Sequence, residues 1–383
     1  MIIANWEDAR DRARRRLPKI FFDFIDGAAF SEATARANVE DFENWSFEQR
    51  VLIDVADRDL STHYLGKTWP RPFALAPLGF AGLFAPHAEI MAARAAHAVG
   101  APFCLSNFGI VSLEDLRKAT DGPLWFQLYV LKERSLSERL LQRAENVGVD
   151  ALCITVDSQI KSVRERDTRN GFRSLTKMTP RLALALLRRP RWVMGALRSG
   201  PLRINNLAPY PEYGTGALEQ AANLGNLIDP TMTWSDIARF RDRWKGKLII
   251  KGVMNARDAE RCADIGADAI VVSNHGGRQL DGARSTISVL PEIVAAAGRR
   301  TDVLFDGGVR RGSHVVKAMA LGAKAVLLGR AYAYAVAADG ERGVSQMLDL
   351  LSTEIDVTIG HMGLRRLSEL AEREGVLRFR YAR

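Results

Sequence analysis

Short runs of apolar residues alternate along this chain with segments in which apolar positions recur at helical spacing. The apolar runs are mostly continuous, which is typical of parallel strands covered on both faces. Glycines follow several of the helical segments, where helices commonly end. The pattern predicts eight strands, over Phe73–Pro77, Pro102–Leu105, Leu124–Val130, Ala151–Val156, Leu248–Lys251, Ala269–Ser273, Val303–Asp306 and Ala325–Leu328. The predicted helices between them include Ala88–Val99, Leu113–Thr120, Arg134–Asn146, Ala256–Ile265 and Ser313–Leu321.

Eight strand–helix units predict an α/β protein with a (β/α)8 barrel. Three segments repeat the same junction of helix, glycine and strand, at Gly148–Ala151, Gly266–Ala269 and Gly322–Ala325. No G-x-G-x-x-G motif follows the first strand, which argues against an open dinucleotide-binding sheet. Barrels of this kind exceed the usual domain length, and 47% of the 383 residues are hydrophobic. We therefore expect residues 1–383 to form a single barrel domain.

Two segments fall outside the alternation of strands and helices. Residues 1–70 are expected to form a helical lead-in and a cap. Residues 158–247 form a long connection between the fourth and fifth strands, so we expect them to contain helices or a functional lid. The amphipathic segment Trp234–Trp244 at the end of this connection is predicted to be the fourth barrel helix.

The charge of the chain is concentrated in this long connection. The formal net charge is +9, and residues 168–211 contain nine basic residues and no acidic one. We call residues 168–211 the basic insertion. Because its charge equals the whole excess, the rest of the chain is balanced, and nucleic-acid binding by the whole fold is not expected. The nine residues are Arg169, Arg173, Lys177, Arg181, Arg188, Arg189, Arg191, Arg198 and Arg203.

Several classes of protein are excluded by what the chain lacks. The chain has no run of eighteen apolar residues, so the sequence predicts no membrane-spanning helix. The charged segment Met1–Arg16 does not resemble a secretory signal. Cys104, Cys153 and Cys262 form no C-x-x-C pair, and no histidine cluster has metal-ligand spacing. We expect a cytoplasmic protein with buried cysteines and no metal site.

Polar residues gather at the carboxyl ends of the predicted strands, where barrel enzymes place their catalytic groups. One such residue would be explained by capping or by a loop hydrogen bond. Polar residues at so many strand ends favour an active site, because burying each of them without a hydrogen-bond partner costs free energy. They are Gln127, Tyr129, Thr155, Asp157, Lys251, Ser273, Asn274, His275, Asp306 and Arg330.

The last two strands are followed by glycine-rich loops. Asp306–Gly312 opens a predicted helix, and Leu328–Arg330 ends the eighth strand. Glycines let backbone N–H groups approach an anion, and a helix N-terminus favours negative charge. Loops after strands seven and eight are the usual phosphate site of this fold. The pattern therefore predicts a phosphate-bearing ligand without saying which one.

The segment Ser273–Gly282, with the sequence SNHGGRQLDG, resembles the signature of the FMN-dependent L-2-hydroxy-acid dehydrogenase/oxidase family. The resemblance implies an FMN enzyme that oxidises a small L-2-hydroxy acid, lactate- or mandelate-like, to the 2-keto acid. It also implies a homotetramer. Further matches extend over essentially the whole chain, at Leu17–Lys19, Trp125–Tyr129, Thr155–Asp157, Arg164–Asp167 and Ile250–Gly252.

The resemblance implies roles for five residues around the substrate. His275 would be the general base, and Asp157 would orient its imidazole. Tyr129 would hydrogen-bond the reacting oxygen, and Arg278 and Arg164 would clamp the substrate carboxylate. Alternatives remain at three of them: a loop cap for Asp157, a core aromatic for Tyr129 and a solvated loop charge for Arg164.

The remaining family residues would bind FMN. Lys251 would stabilise the reduced flavin as a fixed cation. Ser106 would bind the ring or ribityl chain, with Ser112 in the same loop as the alternative. The other positions are Pro77, Leu78 and Gly79 beside the flavin; Gln127, Thr155 and Ser273 on the ring or ribityl chain; Asp306 on the ribityl hydroxyls; and Gly307, Gly308, Val309, Arg310, Gly329 and Arg330 at the phosphate.

Two positions refine the expected reaction. Phe24 stands where most relatives have a tyrosine that contacts the substrate carboxylate, so a larger, more apolar substrate is expected. Gly79 stands where dehydrogenases tend to have glycine and oxidases alanine. We therefore expect a dehydrogenase with a quinone-type acceptor, although Gly79 could simply serve a backbone turn. The alternative is an oxidase that uses O2 and releases H2O2.

The basic insertion combines its positive charge with apolar residues, including Leu182–Leu187, Trp192 and Leu197. Basic residues suit anionic headgroups, and leucine and tryptophan suit the interface. Membrane-bound members of the family carry an insertion at the same place. We expect a peripheral contact with the inner face of the cell membrane. A basic lid over the active site, or a subunit contact, is the alternative.

A non-redox protein is the remaining rival class. The barrel could belong to a phosphate-ligand-binding isomerase or to a catalytically silent scaffold. A silent scaffold would have lost His275, Tyr129 or Arg278, and this chain retains all three.

Overall fold

A computed structural model describes residues 2–172, 179–200, 202–210, 214, 216–373 and 375–380. Eight parallel strands, β4 to β11, close into a barrel in chain order, with β11 pairing back to β4. The predicted (β/α)8 barrel is confirmed. The strands are β1 (Trp45–Phe47), β2 (Thr62–Tyr64), β3 (Lys67–Trp69), β4 (Phe73–Leu75), β5 (Phe103–Ser106), β6 (Leu124–Leu128), β7 (Ala151–Thr155), β8 (Lys247–Val253), β9 (Ala269–Val272), β10 (Asp302–Phe305), β11 (Ala325–Leu328) and β12 (Leu377–Phe379).

Helices surround the barrel and cover the outer face of its strands, so both faces of the sheet are buried. All five helices predicted between strands are present, with ends within one residue of the prediction. The helices are α1 (Trp6–Arg16), α2 (Lys19–Asp26), α3 (Ala33–Glu40), α4 (Ala88–Ala98), α5 (Leu113–Ala119), α6 (Arg134–Val147), α7 (Glu165–Asn170), α8 (Pro180–Leu187), α9 (Pro190–Arg198), α10 (Ala217–Leu227), α11 (Trp234–Arg243), α12 (Ala256–Asp264), α13 (Thr286–Ala297), α14 (Gly312–Ala320), α15 (Arg330–His361) and α16 (Glu369–Glu372).

The interior of the barrel is a packed core. Cys104 and Cys153 lie in it and are fully buried, and Cys262 is buried outside it, as predicted. The hairpin of β2 and β3 contributes Tyr64 and Trp69 to the same core. Side chains therefore fill the barrel, and chemistry is confined to its ends.

The lead-in segment packs α1 against α15 and α2 against α7. The carboxylate of Asp26, at the end of α2, accepts hydrogen bonds from Arg10, Arg166 and Tyr334. These bonds outweigh the cost of burial and lower the pKa of Asp26. The last turn of α2 is thereby fixed at the carboxyl end of the barrel.

The long connection after β7 contains α7 to α10, as expected, before α11 begins at Trp234. Pro180 and Pro190 each start a helix, where a missing N–H is tolerated. Arg173 and Lys177 of the basic insertion lie outside the described residues. No helix in the described part of the chain combines the length and apolarity needed to cross a membrane.

Candidate active site

A cavity opens at the carboxyl end of the barrel, and most of the predicted site residues line it. At its centre, His275 Nε2 lies 3.2 Å from the Tyr129 hydroxyl. On the other side of the ring, Nδ1 lies 2.9 Å from Asp157 Oδ1. Asp157 also accepts a hydrogen bond from Ser158 at 3.1 Å. Three residues from three strand ends thus form a connected base, carboxylate and phenol.

Local backbone geometry makes this cluster possible. His275 has a φ of +60°, a left-handed conformation that turns its side chain out of the strand direction. Gly252 has a φ of +112°, and a Cβ there would lie 2.7 Å from Asp157 Cβ. Only glycine therefore allows Asp157 to approach β8 so closely.

The protonation states of His275, Asp157 and Tyr129 allow His275 to act as a base. Burial lowers the pKa of His275, and this effect outweighs the nearby Asp157, which raises it. Burial also favours the neutral form of Asp157, but His275 and Lys251 outweigh it and lower the pKa of Asp157. With a carboxylate at Nδ1, the neutral imidazole carries its proton there and leaves Nε2 able to accept one. Burial also raises the pKa of Tyr129 to about 12, so its hydroxyl keeps its proton.

Lys251 is buried beside this cluster. Its Nζ lies 2.8 Å from Asp306 Oδ2 and donates to Ser273 Oγ at 2.8 Å. Burial disfavours its charge, but Asp306 and Asp157 outweigh burial and raise the pKa of Lys251. A shift in strand pairing between Lys251 and Val253 marks a bulge at this point. Lys251 is therefore a fixed cation at the floor of the cavity.

Several buried polar atoms near Lys251 have no partner among the described residues. They belong to residues that the sequence assigned to the cofactor, and buried polar groups normally have partners. Ser106 donates to Gln127 Oε1 at 2.8 Å, which leaves the Gln127 amide nitrogen available. Ser112, the alternative to Ser106, instead caps α5. The unpartnered atoms are Gln127 Nε2, Thr155 Oγ1 and Asp306 Oδ1.

The loops after β10 and β11 form the predicted glycine cradle. Gly307 and Gly308 both have positive φ, and side chains there would collide with Thr286 and Asn38. Arg310 is only 8% exposed, and its Nε has no partner in the described structure. Burial lowers the pKa of Arg310 to about 10, so the guanidinium stays charged at neutral pH. A buried cation beside a glycine-rich loop at the start of α14 fits a phosphate.

Arg330, predicted at the phosphate, lies at the start of α15 after Gly329, and its side chain is held by backbone carbonyls. Its three nitrogens donate to the carbonyls of Ile25, Gly276 and Gly27 at 2.8–3.0 Å. Arg330 therefore ties the lead-in to the turn after β9 while lining the cavity.

Arg278 and Arg164 lie together at one side of the cavity. Arg164 is only 7% exposed, and its Nε donates to the Arg278 carbonyl at 3.3 Å. The solvated-charge alternative for Arg164 is therefore wrong. Arg278 donates to the carbonyls of Phe24 and Gly27 at 2.7 Å, which holds its guanidinium against the last turn of α2.

An aromatic wall lines the cavity next to Arg278. Phe24 packs against Phe172, with ring centroids 4.6 Å apart, and against Phe80 and Phe84. Of these phenylalanines, only Phe24 was predicted from the sequence. Phe80 and Phe84 follow the Pro77–Gly79 segment closely enough to have been suspected. Phe172 comes from the insertion, and no local pattern marks it.

The glycine cradle and the unpartnered buried atoms fit a phosphate-bearing cofactor, and His275 beside Asp157 provides a base. The fold and the site are therefore those of a cofactor-dependent barrel enzyme. The chain belongs to the FMN-dependent dehydrogenase family, whose sequence profile matches residues 13–376. FMN has a polar ring system, a hydroxylated chain and a phosphate. Gln127 Nε2 and Thr155 Oγ1 fit the ring system, Asp306 Oδ1 fits the hydroxylated chain, and Arg310 with the glycine cradle fits the phosphate. The protein is an FMN-dependent oxidoreductase.

Relatives and solved structures resemble the chain over nearly its whole length. It is 45% identical over 373 residues to an L-lactate dehydrogenase of Caulobacter vibrioides, covering 97% of each chain. It is 42% identical over 371 residues to an L-lactate dehydrogenase of Pseudomonas syringae pv. syringae, also covering 97% of each. The crystal structure of the monotopic membrane protein (S)-mandelate dehydrogenase has a TM-score of 0.93 at 38% identity and covers 99% of this chain and 100% of that one. Mandelate oxidase with (S)-4-hydroxymandelic acid has a TM-score of 0.86 at 34% identity and covers 98% and 99%.

Proposed function

We propose that this enzyme oxidises an L-2-hydroxy acid with an apolar side chain to the 2-keto acid, and that a quinone-type acceptor takes the electrons. One arrangement carries the proposal: the His275–Tyr129 pair lines a cavity that also contains two arginines and a wall of phenylalanines. The names of the relatives, lactate and mandelate dehydrogenases, support the same substrate class.

FMN, when bound, supplies the two-electron redox chemistry. Gly307, Gly308 and Arg310 would hold its phosphate, with Val309, Gly329 and Arg330 beside them. Asp306 Oδ1 would meet the ribityl chain. Gln127, Thr155, Ser106 and Ser273 would hydrogen-bond the ring system or the ribityl chain, and Pro77, Leu78 and Gly79 would lie beside the ring.

His275 would act as the general base. Its Nε2 accepts the proton of the substrate hydroxyl, because Asp157 holds the other nitrogen in its protonated form. The resulting imidazolium lies against the Asp157 carboxylate, which stabilises it. Tyr129 would donate to the same substrate oxygen, since its hydroxyl lies 3.2 Å from Nε2. Lys251 would hold a fixed positive charge beside the ring system and so favour its reduced form.

Arg278 and Arg164 would bind the substrate carboxylate. Both are held by backbone carbonyls or by each other, so little side-chain entropy is lost on binding. Phe24 adds no hydrogen-bond donor here. A substrate side chain that packs on Phe24, Phe84 and Phe172 would offset that loss, because aromatic contacts of this kind add to burial. An aromatic 2-hydroxy acid fits this wall better than glycolate.

The acceptor assignment rests on Gly79. Gly79 lines the cavity beside Phe108, and a Cβ there would lie 3.4 Å from Phe108 Cβ, an ordinary contact. Packing therefore does not require glycine at this position. The family tendency of dehydrogenases to have glycine is the better explanation, and it favours a quinone over O2.

We also propose a peripheral location on the inner face of the cell membrane. Leu187 and Leu197 of α8 and α9 are 71% and 78% exposed, with Arg188 and Arg198 exposed beside them. The interpretation of Trp192 as an interfacial residue is wrong: it packs on Phe21 and donates to the Leu83 carbonyl at 2.9 Å. Leu182 of the predicted run is buried, so the outward surface consists of Leu184, Leu187, Leu197, Met194 and arginines, which suits an anionic bilayer. A homotetramer is proposed on the family resemblance.

The test uses the purified protein with no addition. It should be yellow and should release FMN on denaturation. Both enantiomers of mandelate, phenyllactate, lactate and glycolate are then offered with a quinone-like dye. We expect one enantiomer to be oxidised, aromatic acids to have the highest kcat/KM, and His275→Asn to bind FMN but turn over at least about 100-fold more slowly. Flavin-bound protein that reduces dye with none of these acids would refute the substrate class.

A further inference from the structure

Asn38 of α3 lies outside the barrel, yet it is only 1% exposed. Its side-chain amide forms a reciprocal pair with that of Asn274. Asn38 Nδ2 donates to Asn274 Oδ1, and Asn274 Nδ2 donates to Asn38 Oδ1, both at 2.8 Å. Asn38 Oδ1 also accepts from the Thr286 amide at 3.1 Å. Displacement of either amide would leave buried polar groups unsatisfied, so the pair fixes the distance between α3 and the end of β9.

Asn274 in turn holds the loop that contains His275. The Gly277 N–H lies 3.1 Å from both the side-chain oxygen and the backbone carbonyl of Asn274. His275 itself has a φ of +60°. A non-glycine residue keeps such a conformation only when its surroundings determine it. The Asn38–Asn274 pair is one of those determinants.

The backbone of Asn38 contacts the phosphate loop. A Cβ on Gly308 would lie 1.8 Å from the Asn38 carbonyl oxygen, so the two backbones are in direct contact. The same helix also covers the loop of His275, because a Cβ on Gly277 would lie 2.5 Å from the Ala35 nitrogen. One short helix therefore touches both the phosphate loop and the loop that carries the base.

We propose that Asn38 is a positioning residue that couples occupancy of the phosphate loop to the geometry of His275. An anion on the loop holds Gly308 in place, and Gly308 holds the backbone of Asn38. The amide pair transmits this constraint to Asn274 and so to the neighbouring histidine. The inference rests on the proposed function, because it assigns the loop to the FMN phosphate and His275 to the base.

The test is Asn38→Ala, which removes the amide and keeps the backbone against Gly308. Hydrogen exchange is followed by mass spectrometry in peptides covering 274–282 and 306–312, with and without FMN. In the wild type, FMN should protect both peptides. In the variant at saturating FMN, exchange of 274–282 should rise at least about tenfold while 306–312 stays protected. The kcat should fall about tenfold or more with KM nearly unchanged, because small misplacements of a base are costly.

Asn206→Ala is the matched control. Asn206 is also fully buried, but its side-chain oxygen accepts from the Leu113 amide at 3.0 Å and from Arg143 at 3.4 Å, and not from the loop of His275. Its replacement should leave the exchange of 274–282 and the kcat unchanged. If Asn38→Ala does not fold, Asn38→Asp serves instead, because it replaces the donor to Asn274 by an acceptor and should give the same pattern.

The proposal is overturned if FMN protects 274–282 equally in wild type and variant, or if Asn206→Ala gives the same changes. The exchange experiment requires FMN but no hydroxy acid. If the proposed substrate class is wrong, the exchange experiment can still be interpreted. If the coupling is absent, the proposed substrate class is unaffected.

Discussion

The guanidinium of Arg278 lies over the ring of Phe24, with 5.0 Å between its central carbon and the ring centroid, and it donates to the Phe24 carbonyl at 2.7 Å. Phe24 thus supports the arginine proposed to bind the substrate carboxylate, through its ring and its backbone. Its ring also forms part of the aromatic wall with Phe172. One residue of the lead-in would therefore support the carboxylate end of the substrate through Arg278 and line the pocket for its side chain.

We predict that Phe24→Tyr lowers the KM for lactate roughly 10- to 100-fold, the range expected for one hydrogen bond to a charged group. Steady-state kinetics on lactate, glycolate and mandelate measure this. Phe21→Tyr, on the same helix but outside the cavity, should leave KM unchanged. An unchanged KM in Phe24→Tyr, or glycolate as the best wild-type substrate, would show that Phe24 does not select against small acids.

The pH profile should report His275. Because burial lowers its pKa, kcat/KM should fall only at a pH below the usual pKa of histidine, as Nε2 becomes protonated. Asp157→Asn removes a carboxylate that stabilises the imidazolium. It should move this acid limb to still lower pH and reduce kcat by roughly 100-fold or more. A limb that moves to higher pH would contradict the assignment of Asp157.

Arg310 should contribute to FMN affinity at a cost to the apoprotein. Its buried charge has an unpartnered Nε in the described structure, and the phosphate would provide the missing anion. We expect Arg310→Met to raise the FMN dissociation constant roughly 10- to 100-fold without lowering the melting temperature of the apoprotein. Arg311→Met is the control, since Arg311 pairs with Glu354 instead. Equal FMN affinity in wild type and Arg310→Met would remove Arg310 from the phosphate site.

Electron transfer should favour dyes over oxygen. With the best substrate in air, we expect dye reduction to exceed peroxide release by a wide margin. Gly79→Ala should fold normally, because its Cβ would make only an ordinary contact with Phe108, and should raise the share of peroxide. Peroxide release that matches dye turnover in the wild type would identify an oxidase.

Membrane binding should depend on the outward leucines of α8 and α9. Co-sedimentation with anionic vesicles should be strong at low salt and weak at high salt. Leu187→Gln with Leu197→Gln should reduce partitioning at least about tenfold, because each buried leucine contributes appreciably. Leu52→Gln, at a fully exposed leucine outside the insertion, is the control. If the wild type stays in the supernatant at low salt, the lid or subunit-contact explanation of the basic insertion takes its place.

Sequence alone determined the barrel and the residues at the ends of its strands. Parallel strands buried on both faces must be apolar throughout, so their limits are visible in the chain, and a polar residue such as Lys251 or His275 stands out where a run ends. The glycine-rich loop before α14 could also be recognised from the sequence, because the glycines and the start of the helix are adjacent in the chain.

Tertiary structure decided what packs around those residues. The burial of Arg164, the inward side of Trp192, the place of Phe172 in the wall and the pairing of Asn38 with Asn274 all depend on contacts between remote parts of the chain. Such contacts leave no periodic mark in the sequence, because each arises only when the lead-in and the insertion fold over the carboxyl end of a completed barrel.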